Sequence, residues 1–501
     1  AQMRLAASDT GANAVFEGPI GGSRRGSWLF SARKSYAAWL IRKIDPGYGA
    51  TLGFWDMQTK SVFDLTSRQQ LQFVAIGGDA DYFQQNTGTA NGLHTANSRS
   101  LVSSMAWRYL RPTFQLTQRV SAAYSDFINR GLLEQNQGDG HTTSVIARTD
   151  ATWTPNAAIT AEAGLQREGT HDQRVLRDYT LVNSTTVKLR SEDPYGGDRT
   201  LASAYGQITA KTAVGAFVGG ARALGTSSSD AHAAWWLLGD IPMARFTLRG
   251  GAGRAVQYPD LYHTFYAPVP LVPERALHYD LSGEFKFTTD ISARVNLYRR
   301  NENDILRSYN HEARLVNGKL VAATLPSYRN SLDGSSQGAE FLLQRKSATG
   351  LVGWISYGYG HTKYTDRVSG ERFDGDFDQR HTVNVFLEER LSYRTAFSVK
   401  VRTGSSPPIP GYFTGTWDNL SIGDTRNQVR LPEYLRIDAR ANRTFTYNQK
   451  RLTLFVEIIN LTGRANRGTA EGGINTKTFA ATNWTEKLIP FLPSIGVLIE
   501  F

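Results

Sequence analysis

Hydrophobic and polar positions alternate with a period of two through much of this chain. Ala293, Val295 and Leu297 alternate with Arg294, Asn296 and Tyr298, and Phe397, Val399 and Val401 with Ser398, Lys400 and Arg402. Leu435, Ile437, Ala439 and Ala441 alternate with Arg436, Asp438, Arg440 and Asn442, and Leu452, Leu454, Val456 and Ile458 with Thr453, Phe455, Glu457 and Ile459. Successive side chains of a strand point to opposite faces. Each segment therefore predicts a strand with one apolar face and a second face that often carries full charges at mid-strand. The last residues, LPSIGVLIEF, do the same: Ile495, Val497, Ile499 and Phe501 on one face, Ser494, Gly496, Leu498 and Glu500 on the other. A soluble sandwich also has a solvated face, so alternation alone does not choose between sandwich and barrel. The number of segments and their connections do.

Counting such segments gives about 22 strands. The early ones are Met3 to Ala7, Ala14 to Gly18, Ser27 to Trp39, Phe54 to Leu65, Gln70 to Ile76, Leu101 to Leu110, Gln115 to Phe127, Thr142 to Trp153 and Ile159 to Gln166. The middle holds Leu201 to Ala210, Ala216 to Leu224, Ala231 to Leu238, Phe246 to Gly253, Leu277 to Phe287 and Ile291 to Arg300. The last are Gln337 to Arg345, Leu351 to Tyr359, His381 to Leu391, Thr395 to Arg402, Tyr434 to Phe445, Arg451 to Ile459 and Leu488 to Phe501. Short turns at Thr66 to Arg68, Arg111 to Thr113, Thr154 to Asn156, Thr288 to Asp290 and Tyr447 to Lys450 alternate with long polar loops. Those loops fall at Asn86 to Arg99, Glu168 to Arg199, Gly253 to Ala276, Arg307 to Gln337 and Gly404 to Pro432. Outer-membrane barrels have short periplasmic turns and longer extracellular loops, whereas a sandwich has no reason to gather long loops at one end. The expectation is an all-β fold: a transmembrane antiparallel β-barrel, one unit over residues 1–501, whose last strand pairs with its first.

Composition agrees. Hydrophobic residues are 40% of 501, a low share for a globular protein, and a large barrel grows without enlarging a solid core. The 24 Phe, 22 Tyr and 10 Trp suit aromatic girdles at both membrane interfaces. There is no cysteine, so disulfides and thiolate metal sites are excluded and an oxidising compartment is permitted. No apolar run approaches the ~18 residues of a transmembrane helix, and AQMRLAASDT lacks the regions of a signal peptide. The net charge of +11 is dispersed. It points to an anionic lipopolysaccharide surface or an anionic solute, not to nucleic acid.

The spacing of Gly496, Ile499 and Phe501 resembles the terminal signal that bacterial outer-membrane barrels present to their assembly machinery. A wider resemblance runs from Phe16 to Phe501. FEGPIGGSRRGSWLFSARKSYAAWL resembles the second and third barrel strands of TonB-dependent outer-membrane receptors, with a periplasmic turn at Gly21 to Gly26. YPDLYHTFYAPVPLVPERALHYDLSGEFKF resembles their long loop and returning strand, with Pro273-Glu274 before the descent. SQGAEFLLQRK, with Gly338 and Glu340, FDQRHTVNV (Phe377 to Val385), YLRIDARANRTF and LFVEIINLTGRAN resemble further recurring blocks in the family's order. The resemblance implies an outer-membrane receptor that takes up a scarce solute: a siderophore, cobalamin or glycan. Its partners would be membrane lipid, the TonB complex and a plug. One departure stands out. Family members carry an N-terminal plug and a TonB box, and neither is in this sequence. The plug is then expected as a separate polypeptide, removed by processing, or lacking. A passive pore and a structural barrel scaffolding an envelope complex stay open as alternatives.

No catalytic constellation is expected, and no metal or other cofactor. The nine His are scattered without a metal-type pair. His381 reads as part of the start of a strand. Asp374, Asp376 and Asp378 alternate, but the Gly and Glu of a calcium loop are misplaced. GGAGRA at 250–255 lacks the Lys of a phosphate loop, and no Gly-x-Ser-x-Gly motif occurs. For ligand contact, the loop aromatics Tyr258, Tyr262, His263, Phe265 and Tyr266 are candidates to stack on a sugar or siderophore ring, with loop packing as the plainer reading. The strand charges Arg294, Arg300, Glu340, Lys400, Arg402, Arg436, Asp438, Arg440 and Glu457 are expected to line the lumen. There they would meet a plug or, in an open barrel, set ion selectivity.

Overall fold

The computed structural model describes residues 2–21, 25–44, 49–85, 90–227, 229–323, 325–448, 450–470 and 472–501. One antiparallel sheet of 23 strands dominates it. Twenty-two of them form a closed wall, each strand pairing with the next along the chain from Gln2–Ser8 to Leu492–Glu500. The first and last strands pair, Leu5 opposite Ile499 and Ala7 opposite Val497, so the wall has no free edge. The remaining strand, Arg372–Asp374, adds beside residues 363–365 at the rim. No helix among the described residues is long and apolar enough to cross a membrane.

Connections alternate as expected. At one end Arg111 pairs with Phe114, Asn156 with Ile159, Met243 with Phe246 and Tyr447 with Lys450. At the other lie the long segments 258–273, 308–328, 367–380, 405–433 and 460–491. Residues 22–24 of the expected turn Gly21 to Gly26, residue 449 of Tyr447 to Lys450 and residues 86–89 of the expected loop Asn86 to Arg99 lie outside the described residues.

Several expectations need correction. Glu168 to Arg199 is no loop: the strands Ile159–Asn183 and Thr186–Lys211 continue through it as one hairpin. The long strands Thr95–Arg111 and Arg329–Arg345 likewise begin inside expected loops. Beyond the membrane both faces of a strand meet water, so apolar alternation disappears while backbone pairing goes on. The strand expected at Ser27 to Trp39 stops at Ser35. Ala37–Ile44, rich in helix formers, turns into a short helix whose Trp39 indole N–H donates to the Asp9 carbonyl at 2.9 Å. The segment 460–491, expected to be in part strand, is a long excursion with short strands of its own, and the final strand starts at Leu492.

The faces follow the alternation. Val295, Leu297, Phe341, Phe397, Leu454 and Ile495 are exposed on the outer face, an apolar belt of the kind that lipid covers in a membrane barrel. Opposite partners share a face, as Val295 with Phe341 and Val456 with Ile495. Exposed aromatics ring both ends of this band: Trp28, Phe63, Trp153 and Phe285 near the short turns, Trp55, Tyr124, Tyr279 and Tyr357 near the long loops. These are the girdles that anchor a barrel at the two interfaces. Between lipid and lumen the wall is one residue thick and has no packed interior. The deeply buried apolar side chains lie mainly elsewhere, in the long loops.

Candidate functional site

Two of the long segments fold together above the wall. The strands Tyr412–Thr416 and Asn419–Arg426 of one join Gly473–Ile474 and Ala480–Thr482 of the other in a four-stranded sheet. Ile409, Phe413, Leu420, Ile422, Val429, Leu431 and Ala481 bury one cluster against it. Leu315 and Leu320 from the ribbon Arg314–Val316 and Lys319–Val321 pack on its side. Each such side chain contributes about 1.5–3 kcal/mol on burial from water. The result is a roof with its own small core.

Ionic anchors tie the roof to the rim. Arg307, at the top of the strand Ile291–Arg307, donates to Asp366 at 2.8 Å and to Glu371 at 2.7 Å; its guanidinium also meets the Tyr412 hydroxyl, which donates to Glu371 at 2.9 Å. Asp366 is fully buried. Burial pushes the Tyr412 phenol up to about 12. Arg426, from the roof, pairs with Glu312 and with Asp376 at 3.0 Å. Arg430 donates to Asp374 and Asp378, both at 2.9 Å, and Arg380 reaches the same two carboxylates. Burial opposes the charge on Asp378. Hydrogen bonds from Arg430, the Thr362 N–H and Arg380 outweigh that effect and hold its carboxyl below the usual range. His361, Asp374 and Asp378 bring possible metal-ligating atoms within 4.8 Å. The two arginines already neutralise both carboxylates, so these groups are spent on anchoring.

Beneath the anchors a cavity of about 510 Å³ opens toward the lumen face of the strands below. Tyr364, Phe373 and Tyr328 give it rings, and Arg300, His311 and Asp376 give it polar edges. Arg307 and Arg426 flank the Phe373 ring at 4.7 and 5.4 Å. Phe377 also lines this space and is 91% exposed, an aromatic side chain presented to solvent rather than packed. The run FDGDFDQRH stood out in the sequence, but nothing local marks Arg307, Asp366, Glu371, Tyr412 and Arg426 as one group. Only the roof brings them together.

The expected loop aromatics occupy a different part of the rim. Asp260 caps the turn of helix Leu261–Phe265, its carboxylate accepting from the His263 N–H at 2.7 Å. That turn lies on the inner face of the long hairpin, where Tyr195 is 4% exposed and stands edge-on to Tyr262 and Phe265. Tyr258 is buried and donates to the Leu224 carbonyl at 2.8 Å. Tyr266 donates to Asp193, and burial together with that carboxylate pushes its phenol up. His263 packs against Tyr328 with centroids 4.4 Å apart. Phe265 keeps half its surface exposed. The group is chiefly spent on packing the rim, with Phe265 the ring left open.

The expected wall charges all share, strand by strand, the face opposite the exposed apolar side chains. Arg294, Arg300 and Glu340 share the face of Asn296 and Gly338; Lys400, Arg402, Arg436, Asp438, Arg440 and Glu457 share the face of Asn384 and Ser494. Arg436 grips Asp438 at 2.7 and 2.9 Å, Arg440 meets Glu457 at 3.5 Å and Arg300 meets Glu302 at 3.2 Å. Of the terminal residues, Ile499 is on the lipid face. Gly496 is on the lumen face, where a Cβ would overlap the Phe455 ring on which Arg440 stacks at 4.1 Å. The Phe501 N–H donates to the Met3 carbonyl at 2.9 Å, and Lys450 lies over its ring at 5.0 Å.

The family model described as TonB dependent receptor-like, beta-barrel, matches residues 35–461. The siderophore receptor PirA from Acinetobacter baumannii superposes with a TM-score of 0.72 at 12% identity, covering 100% of this chain and 79% of that one. The ferripyoverdine receptor of the Pseudomonas aeruginosa outer membrane gives 0.73 at 10% identity, covering 100% and 71%. The copper transporter OprC gives 0.74 at 13% identity, covering 100% and 79%. At these identities the likeness is one of fold. A search of curated protein sequences gives no match.

Proposed function

We propose, from the premise that this chain belongs to the TonB-dependent receptor β-barrel family of the bacterial outer membrane, that it is the barrel of an uptake receptor for a siderophore or a similarly scarce solute. The family's members are transporters, not enzymes. Cobalamin and glycans are the other cargo classes. The observation that carries the reading is the anchored roof above a ring-lined cavity. A passive pore works best with an open mouth, whereas a receptor needs a mouth that recognises. Siderophore receptors are among the proteins of like fold, which favours a chelate cargo, and Phe377 is the ring we assign to its first contact. The TonB complex, a plug segment and outer-membrane lipid are the partners this reading implies. In the same reading Gly496, Ile499 and Phe501 form the assembly signal.

The test is uptake. Cells lacking the gene and complemented cells would be offered a panel of ferric siderophores, cobalamin, oligosaccharides and copper under limitation. Uptake of one ferric siderophore should depend on the chain and fall at least tenfold in Phe377→Ala at equal membrane levels. Chain-independent uptake across the whole panel would overturn the reading.

A further inference from the structure

Two places on the lumen wall break a rule of sheet pairing. Like charges directly opposite each other on neighbouring strands are destabilising. Arg119 nevertheless stands directly opposite Arg148, and Arg108 is two residues along from Ala106, which is Arg119's partner on the other side. This trio has a single acid: Arg148 holds Asp150 at 2.7 and 2.8 Å. Arg119 and Arg108 have no acid within ion-pair distance among the described residues, and the Arg108 Nε has no hydrogen-bond partner. The same arrangement recurs. Arg402 stands directly opposite Arg436, with Lys400 two residues along the strand. Here again one arginine grips the one acid, Asp438, which stands directly opposite Lys400; Arg402 and Lys400 have no acid within ion-pair distance among the described residues.

The two trios lie on nearly opposite walls. Phe114–Arg130 and Asn136–Asn156 are the seventh and eighth strands of the closed sheet; Thr395–Gly404 and Tyr434–Tyr447 are the nineteenth and twentieth. Other cations of the lumen wall are matched to acids, as Arg33 with Asp56 or Arg249 with Asp240 and Glu284, while Arg222 donates to Ser203. In each pair one guanidinium is already spent on its acid through Nε and one Nη, which leaves its unmatched neighbour, Arg119 or Arg402, with a fork open to an oxyanion. Carboxylates and phosphates accept two parallel N–H bonds from each fork.

We propose that each trio is a binding site for a carboxylate or phosphate oxyanion, so that what passes through or occupies this lumen is anionic. The inference rests on the uptake reading for the identity of the occupant, and it narrows that cargo from any scarce solute to an anionic one.

The experiment is arginine modification by phenylglyoxal on the purified, folded chain, read by peptide mass spectrometry. Inorganic phosphate is compared with potassium chloride at matched ionic strength. Phosphate should slow modification of Arg119 and Arg402 several-fold. It should leave unchanged Arg294, a lumen cation with Leu342 opposite on one neighbouring strand and Glu284 on the other. Arg148→Gln should remove the protection at Arg119, and Arg436→Gln that at Arg402, with heat-modifiable mobility confirming folded barrels. Equal rates in phosphate and chloride, with Arg119 and Arg402 reactive in both, would sink the proposal. Resistance of these two already in chloride, with Arg294 reactive, would support the sites and assign their oxyanion to a co-purified carboxylate rather than to free phosphate. Failure here leaves the receptor reading standing with a neutral or cationic cargo. Failure of the uptake panel leaves the anion sites standing.

Discussion

Phe413 in the roof is 2% exposed, whereas Val295 on the wall is 46% exposed, although both sit on antiparallel strands. The roof is surrounded by water, so its strands gain stability only by turning side chains toward one another, and it builds a core. The wall is surrounded by lipid on one side and faces the lumen on the other. Its apolar side chains need no protein partner, and its stability rests on a closed ladder in which every strand has two neighbours. The charges divide the same way. Under the roof, where the wall strands Ile291–Arg307 and Gly350–Asp366 end, Arg307 and Asp366 are almost wholly removed from water and matched to one another. On the wall, pairs such as Arg33 with Asp56 remain partly exposed. One chain thus contains a soluble protein's architecture standing on a membrane protein's.

That contrast can be broken from either side. The largest effect is expected for Arg307→Ala. It strands Asp366 and Glu371 without their cation, at about 3–5 kcal/mol for a broken buried pair. Limited proteolysis should then cut between residues 405 and 433 while the wall stays folded on a heat-modifiability gel. Phe413→Ala should cost the roof a comparable or slightly smaller amount, about 3–5 kcal/mol for a buried aromatic. Hydrogen exchange should rise across residues 409–431 and stay unchanged in the strand Thr395–Gly404. A similar rise in the wall would show the two regions to be one cooperative unit. The converse probe is Val399→Arg on the lipid face, about 2–4 kcal/mol if it lies near mid-bilayer. It should lower the unfolding free energy in lipid and leave roof proteolysis alone.

Acid should sharpen the comparison. The Asp378 carboxyl lies below its usual value when folded, so its contribution is present in full above the unfolded carboxyl value of about 3.9 and is lost as pH falls below that value toward the folded one. The Arg430 anchor should therefore hold from pH 8 to 5 and loosen below pH 4. Roof proteolysis by an acid-active protease would report the change. The smallest effect is expected for Arg33→Ala. That removes a 2.7 Å contact to Asp56 between half-exposed partners, worth about 0–1 kcal/mol. A larger loss in a denaturation series would mean that the lumen is far drier than the exposure implies.

Much of the wall was legible in the sequence because its rule is local. The alternation at Phe397 to Arg402 or Leu452 to Ile459 assigns each side chain its face. The closing pair of first and last strands followed from the composition of the final strand. That Arg436, Asp438 and Glu457 share one face followed from the same parity. Legibility stopped where water begins. The hairpin through Glu168 to Arg199 was mistaken for a loop because both its faces are polar. The roof was missed because its core residues, Phe413, Ile422 and Ala481, come from two separate segments. The loop aromatics around Tyr262 were visible as a cluster, but whether they meet a ligand or one another depends on Tyr195 and Tyr328, distant in the chain.

The sequence by itself determined a closed, two-faced β-barrel and the face of each wall residue, because a period of two is written residue by residue. Only the tertiary structure decided where the roof sits, which charges are buried together under it, and that Arg119 stands opposite Arg148 and Arg402 opposite Arg436. Those encounters depend on strand register and on contacts between distant segments, which no local pattern encodes.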